Sequence, residues 1–292
     1  MTLGFTRYVS DDDDSGRWEG FPFREGDIVI STRSKSGTTW VQMICALLVF
    51  QTPNLPAPLS TLSPWVDHTI EPVADVFARL RAQDHRRFVK THTPLDGIPL
   101  DPRASYVVVG RHPLDLAVSL YHQGDNVDRA RLAQLTGVPA RPASPRPSLH
   151  DWLVLWTRRE TTALKEPDSL VGVLHHVSDA WRRTAPNVVL VHYADLLADL
   201  DGSMRRLAER LGLEVPEADW PTLVEAASFT RMRARADELA PNTLGVLRDP
   251  SRFFRAGRSG AGAEVLTAEE LAFYDRRVAS LAAPDLVSWL HR

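Results

Sequence analysis

Four short apolar runs punctuate the chain: Asp27–Ile30 (DIVI), Arg87–His92 (RFVKTH), Ser105–Gly110 (SYVVVG) and Asn187–Tyr193 (NVVLVHY). Several are continuous stretches of valine and isoleucine rather than strict alternations, the pattern of strands covered on both faces. Between them, apolar residues return every three or four positions. Trp40, Val41, Ile44, Leu47 and Leu48 share one helical face, and residues 115–123, 151–164, 174–184 and 195–212 read as further helices. Strands alternating with helices predict an α/β fold, a single domain with a mainly parallel central sheet flanked by helices. Two proline-rich stretches, 51–64 and 138–147, break this rhythm. They are expected to be long loops, either lids and substrate walls or passive surface. Residues 1–24 are expected to form a partly flexible extension, with DDDDSG at 11–16 as a solvated acidic tail or turn, and 25–292 the domain itself. No internal repeat or clear linker is visible.

Composition narrows the class. A chain of 292 residues can bury a sizeable core, and 43% of its residues are apolar. The formal net charge of −3 disfavours a nucleic-acid binder, which would carry a basic excess. The one cysteine, Cys45, lies in an apolar run and is expected in the core, which excludes a disulfide framework or a zinc cluster. No basic start followed by an apolar stretch marks a secretory signal, and no run reaches the roughly 18 apolar residues of a membrane span. A cytoplasmic protein is expected.

The chemistry starts after the first strand. Ser34-Lys35-Ser36-Gly37-Thr38-Thr39-Trp40 places a lysine, a glycine and two threonines where a helix begins. Unpaired N–H groups and the helix dipole favour an anion there. Lys35 adds a charge, Gly37 lets the backbone approach, and the threonine hydroxyls can cap the helix or donate to phosphate. The nucleotide-triphosphatase loop is a poor match, because its lysine follows the second glycine whereas Lys35 precedes Gly37. The order SKSGTTW instead resembles the 5′-phosphosulfate loop of sulfotransferases that use 3′-phosphoadenosine 5′-phosphosulfate (PAPS).

That resemblance extends along roughly residues 25 to 275. Arg111 and Ser119 in GRHPLDLAVS have the family's 3′-phosphate spacing, an Arg followed by seven residues and a Ser. FVKTHTP resembles the catalytic-base segment, which makes His92 the base and Lys90 a support for the transferring group. The resemblance further implies Trp40 and Tyr193 at the adenine, with Ser228, Phe229 and Met232 beside it. Ala227 replaces a usual threonine. FFRAGRSGAG resembles the C-terminal Arg-Lys-Gly motif over the 3′-phosphate, matched by Arg255 and Gly257, with Ala256 in the lysine position. Ala261-Gly262 replace its Asp-Trp, so this stretch is expected to be mobile without ligand, and Arg258 could restore the missing charge. Residues 55–73 and 85–97 resemble bacterial enzymes of the mycobacterial glycolipid type. The family's cytosolic dimer motif has no copy here, so the oligomeric state stays open. The resemblance implies transfer from PAPS to a hydroxyl of an apolar small molecule or (glyco)lipid, releasing adenosine 3′,5′-bisphosphate (PAP), without metal or nucleic acid. A nucleotide-dependent phosphoryl transferase and a non-catalytic nucleotide-binding protein are the competing readings.

Overall fold

The computed structural model describes residues 4–138, 145–242, 244–255 and 257–292. Its centre is a parallel four-stranded sheet in the order β2-β1-β3-β4, from β1 (Ile28–Ser31), β2 (Phe88–Thr91), β3 (Ser105–Gly110) and β4 (Val188–His192). Register aligns Ser31 with Thr91 on one side and Val108 on the other, while Gly110 meets His192. The strand order reverses between β1 and β3. Loops leaving their C-terminal ends diverge there, the usual place for a ligand in an open α/β sheet.

Both faces of the sheet are covered, as the unbroken valine runs predict. Ile28, Ile30, Val107 and Val109 pack with the first helix, Thr38–Phe50, in one core. Val29, Val89 and Val108 point the other way, toward Trp18, Phe21, Phe77 and Leu80. Cys45 is buried, as expected.

Several boundaries differ from the sequence expectation. Helix 195–212 is two helices, Tyr193–Ala198 and Leu200–Leu211. They break at Asp199, which leaves helical geometry (φ −148°) and caps the second helix by accepting the Gly202 N–H at 2.9 Å. The apolar periodicity runs through this break and hides it. Helix 151–164 becomes Leu149–Arg158, because Arg159 turns extended. The acidic stretch at 11–16 is docked rather than a solvated tail. Asp14 N–H donates to the Asp67 carbonyl, Thr69 N–H donates to the Asp12 carbonyl, and the Asp14 carboxylate takes Arg7 and the Gly16 N–H. The loop 51–64 contains a helical turn, Leu59–Leu62. Part of 138–147 lies outside the described residues.

The strand starts are tied by a buried ion pair. Arg87 donates to both oxygens of Asp27, and each side chain is 1% exposed. Arg87 also reaches the Pro22 carbonyl, and Asp27 accepts the Arg24 N–H. Removing one partner leaves an uncompensated buried charge. Asp27→Ala is therefore expected to lower unfolding stability by about 3–5 kcal/mol. Urea unfolding checks this, and a loss below about 1 kcal/mol, as for a surface pair, would refute it.

Candidate active site

β1 delivers the chain into a tight turn at Ser34–Gly37, which the first helix then leaves. Lys35 and Gly37 both take left-handed backbone geometry, with φ of 65° and 106°. Such a conformation is costly for lysine, and a tight turn holds it. Gly37 is the helix N-cap and supplies no side-chain cap. A Cβ there would come within 3.0 Å of the Tyr193 ring. The first helical bond runs from Val41 N–H to the Gly37 carbonyl at 3.1 Å. The N–H groups of Thr38, Thr39 and Trp40 thus make no intrahelical bond and present an anion-binding helix start. The threonines do not cap the helix, contrary to one sequence expectation. Thr38 is its first residue and its hydroxyl pairs with that of Thr32 at 2.5 Å.

Cations converge on this turn. Arg111, on the residue after β3, donates to the Lys35 carbonyl at 2.8 Å and lies 4.2 Å over the Tyr193 ring. Its Nε is buried without a partner. The Lys35 ammonium sits 3.8 Å over the Phe253 ring and 3.3 Å from the Gln123 side-chain oxygen. Burial, then the charges of Arg111, Lys90 and Arg255, push Lys35 down to about 7. Burial holds Lys90 at about 8 despite nearby Asp13 and Asp67. Burial and the charges of Arg111 and Arg258 also lower Arg255. Among the described residues, Lys35, Lys90, Arg111 and Arg255 form no ion pair with a carboxylate. Four basic groups held together against their mutual repulsion are an arrangement that a polyanion would relieve.

His92 follows β2, one residue past Thr91. Its Nδ1 lies 2.6 Å from the Thr32 carbonyl, which fixes the proton on Nδ1 and leaves Nε2 as the acceptor. Burial first, then the charges of Lys90 and Arg33, hold the imidazole well below its ordinary value. It is a neutral base at physiological pH. Trp65 stands edge-on to His92 at 4.7 Å, and the Lys90 ammonium lies 3.7 Å over its ring. The Trp65 segment pairs with β2, as Lys90 N–H donates to the Pro64 carbonyl and Val66 N–H to that of Lys90.

A second wall gathers the residues expected at the base. Trp40 is buried, donates from Nε1 to the Ala227 carbonyl at 2.8 Å and meets Tyr193 edge-on at 5.4 Å. The contact brings the 226–232 segment beside Tyr193. Ser228 caps helix Phe229–Ala234 by accepting the Arg231 N–H, and Met232 is buried. Ser119 lies in helix Pro113–Asn126, four residues from Asp115 and four from Gln123. Both of those reach the site region, so Ser119 shares their face.

The C-terminal segment departs from expectation. Asp115 is buried and accepts N–H groups from Gly260 at 2.8 Å and Gly262 at 2.9 Å. A Cβ on Gly262 would lie 2.6 Å from the Leu114 backbone. This clasp, absent from the sequence reading, holds the loop where the Asp-Trp is missing. Arg258 is bound to Glu264 at 3.1 and 3.0 Å in an exposed ion pair. Gly257 (φ 57°) makes room for Phe229, since a Cβ would sit 2.7 Å from that ring. Its glycine answers to a protein contact and a left-handed backbone. Ala256 lies outside the described residues.

Sequence reasoning passed over Arg33, Trp65, Asp115, Gln123 and Phe253. Only Asp115, at the start of a helix after a strand, carried a positional signal. A surface groove lined by Tyr106, Arg182, Asn187 and Val188 opens at the N-terminal ends of the strands, away from all of these groups.

Comparison with known proteins shows the family and the fold. Residues 25–283 match the family model described as a sulfotransferase domain. A glycolipid sulfotransferase of Mycobacterium tuberculosis is 44% identical over 298 residues, spanning 95% of this chain and 91% of that protein. Among solved structures, retinol dehydratase in a complex with retinol and PAP superposes with a TM-score of 0.69 at 21% identity, covering 92% of this chain and 86% of the other. A mouse sulfotransferase complexed with PAP gives the same TM-score at 20% identity, covering 95% and 92%.

Proposed function

The chain belongs to the sulfotransferase family, and on that premise we propose that it moves the sulfuryl group of PAPS to a hydroxyl of a glycolipid or of an apolar small molecule. The observation that carries the cofactor reading is the set of four basic side chains near one helix start that form no carboxylate ion pair among the described residues. The residues fit the group. The buried Arg111 Nε is an orphaned donor, and the first helical N–H groups are free of intrahelical bonds. PAPS, when bound, supplies the sulfuryl group and leaves as PAP.

The chain's own residues divide the work. Lys35 and the N–H groups at Gly37–Trp40 hold the 5′-phosphate end, with the Ser36, Thr38 and Thr39 hydroxyls beside them. Arg111, Ser119, Arg255 and Gly257 hold the 3′-phosphate. Trp40, Tyr193, Ser228, Phe229 and Met232 wall the adenine. His92 Nε2 takes the proton of the acceptor hydroxyl, and Lys90 steadies the negative charge beside it. The 44% identical mycobacterial relative supports a glycolipid acceptor. Transfer from labelled PAPS across a panel of glycolipids, sterols and phenols tests the reading. Thermal stabilisation by ATP with magnesium but not by PAP would favour phosphoryl transfer instead.

The lowered lysines make binding a proton-linked event. A bound anion restores the ammonium form, so Lys35, depressed to about 7 when free, takes up a proton on binding above that pH. Full affinity is present below about pH 7 and falls as pH rises, by roughly tenfold at pH 8 and roughly a hundredfold at pH 9. Calorimetry in two buffers of different ionisation enthalpy measures the uptake. An affinity for PAP that is flat with pH would show that Lys35 is fully charged in the free enzyme.

A further inference from the structure

Arg33 is a buried arginine in the turn between β1 and the cofactor loop, only 7% exposed. Burying an arginine costs several kcal/mol unless good partners compensate it. Its guanidinium has two. Nε and a terminal nitrogen hold Asp168 at 3.2 and 2.6 Å, and the other terminal nitrogen donates to the backbone carbonyl of His92. Asp168 is itself placed. Its carbonyl accepts Trp156 Nε1 at 2.9 Å, and the next residue, Ser169, caps helix Leu170–Trp181.

Neighbouring Thr32 handles the other end of the same histidine, accepting from Nδ1. Two consecutive residues therefore grip His92, one at the ring and one at the backbone, immediately before Ser34 and Lys35. A staple that merely joined the loop to helix Leu170–Trp181 would need only the Asp168 pair. The bond to His92 adds a contact that such a staple has no use for.

Building on the sulfotransferase reading, we propose that Arg33, anchored by Asp168, is a positioning residue for the base: it locks His92 in place and ties it to the cofactor loop. The charge of Arg33 works in the same direction. Charged and titratable groups facing His92 are Lys90 from β2, Arg33 from the turn and His176 from helix Leu170–Trp181, and all three disfavour its protonation. His176 is fully buried, with Nε2 3.0 Å from the Ser31 hydroxyl. Asp13 and Asp67 act on the Lys90 side, where they favour its charge.

The variants separate grip from charge. Arg33→Met removes both. Turnover falls on the order of tenfold or more, and the acidic limb of the kcat/KM profile moves up by about one pH unit, because His92 protonates more easily. Arg33→Lys keeps a charge but cannot span both acceptors, so kcat falls while the limb stays. Asp168→Asn frees the guanidinium and lowers kcat without raising the limb. A second readout is independent of turnover. In nitrogen-15 spectra of the ligand-free protein, with His92 assigned through His92→Gln, the wild type shows the Nδ1–H tautomer and Arg33→Met shows a mixture with a raised pKa. An unmoved limb and an unmoved tautomer in Arg33→Met, with losses that only follow melting temperature, would overturn the proposal. Should the wild type transfer no sulfuryl group, the function reading falls, and the histidine spectra still decide the role of Arg33.

Discussion

Replacing His92 by alanine lowers the turnover of sulfuryl transfer by about 10²-fold or more while PAP still binds. The imidazole is oriented by the Thr32 carbonyl, and burial with two neighbouring cations keeps it neutral, so Nε2 is available across physiological pH. None of the other histidines in the sequence motifs can replace it. His112 spends Nδ1 on the Leu114 N–H and stacks on His291 at 4.6 Å, and His85 packs against Phe50 at 4.8 Å. The nearest substitute is Lys90, with its pKa lowered to about 8 by burial. Residual activity of His92→Ala that climbs above pH 8 would mark Lys90 as that substitute. Single-turnover rates with PAPS, beside PAP affinity by calorimetry, make the test. Near-normal rates in a folded His92→Ala protein would remove His92 from the chemistry.

Loss of the Arg111 guanidinium abolishes most of the preference for PAP over 5′-AMP. In the wild type, charge-assisted bonds to the 3′-phosphate are expected to be worth about 2–4 kcal/mol. Arg111 is suited to supply them. Its Nε is buried without a partner, and the Lys35 carbonyl and the Tyr193 face hold the guanidinium plane. Those same contacts brace the loop, so Arg111→Ala also weakens 5′-AMP binding. The informative quantity is therefore the difference of differences between the two ligands in the two proteins. Arg111→Lys keeps a charge but lacks the planar fork and recovers only part of the preference. Equal affinity of the wild-type protein for PAP and 5′-AMP would show that the 3′-phosphate is not read here.

Local chemistry was legible in the sequence, and long-range partnership was not. The loop at Lys35 and the turn at Arg111 each follow an apolar strand, so their placement at strand ends came directly from the pattern. His92 was reachable for the same reason. Arg33 looked like any basic residue in a loop, because its partners Asp168 and His92 lie 135 and 59 positions away. The clasp from Asp115 to Gly260 and Gly262 spans about as far, and no composition rule announces it. In a segment whose small residues predict mobility without ligand, one buried carboxylate holds two N–H groups. The pairing of Arg258 was hidden for a related reason. Glu264, six residues on, is its partner, and a charge count cannot say which neighbour a flexible arginine takes.

The docked N-terminal segment has a bearing on how the chain acquires its structure. The Tyr8 hydroxyl meets Asp96 at 3.0 Å and His175 at 2.9 Å, partners 88 and 167 positions further along. Trp18 and Phe21 cover the face of the sheet made by Val29, Val89 and Val108. As the polypeptide is synthesised, residues 4–24 emerge before anything they rest on exists. Their seat is complete only after helix Leu170–Trp181 has been made, and closing so long a loop comes late in assembly. Until the segment docks, the part of that valine face which Trp18 and Phe21 cover stays open to water, an aggregation hazard that ends when residues made early in synthesis fold back onto it.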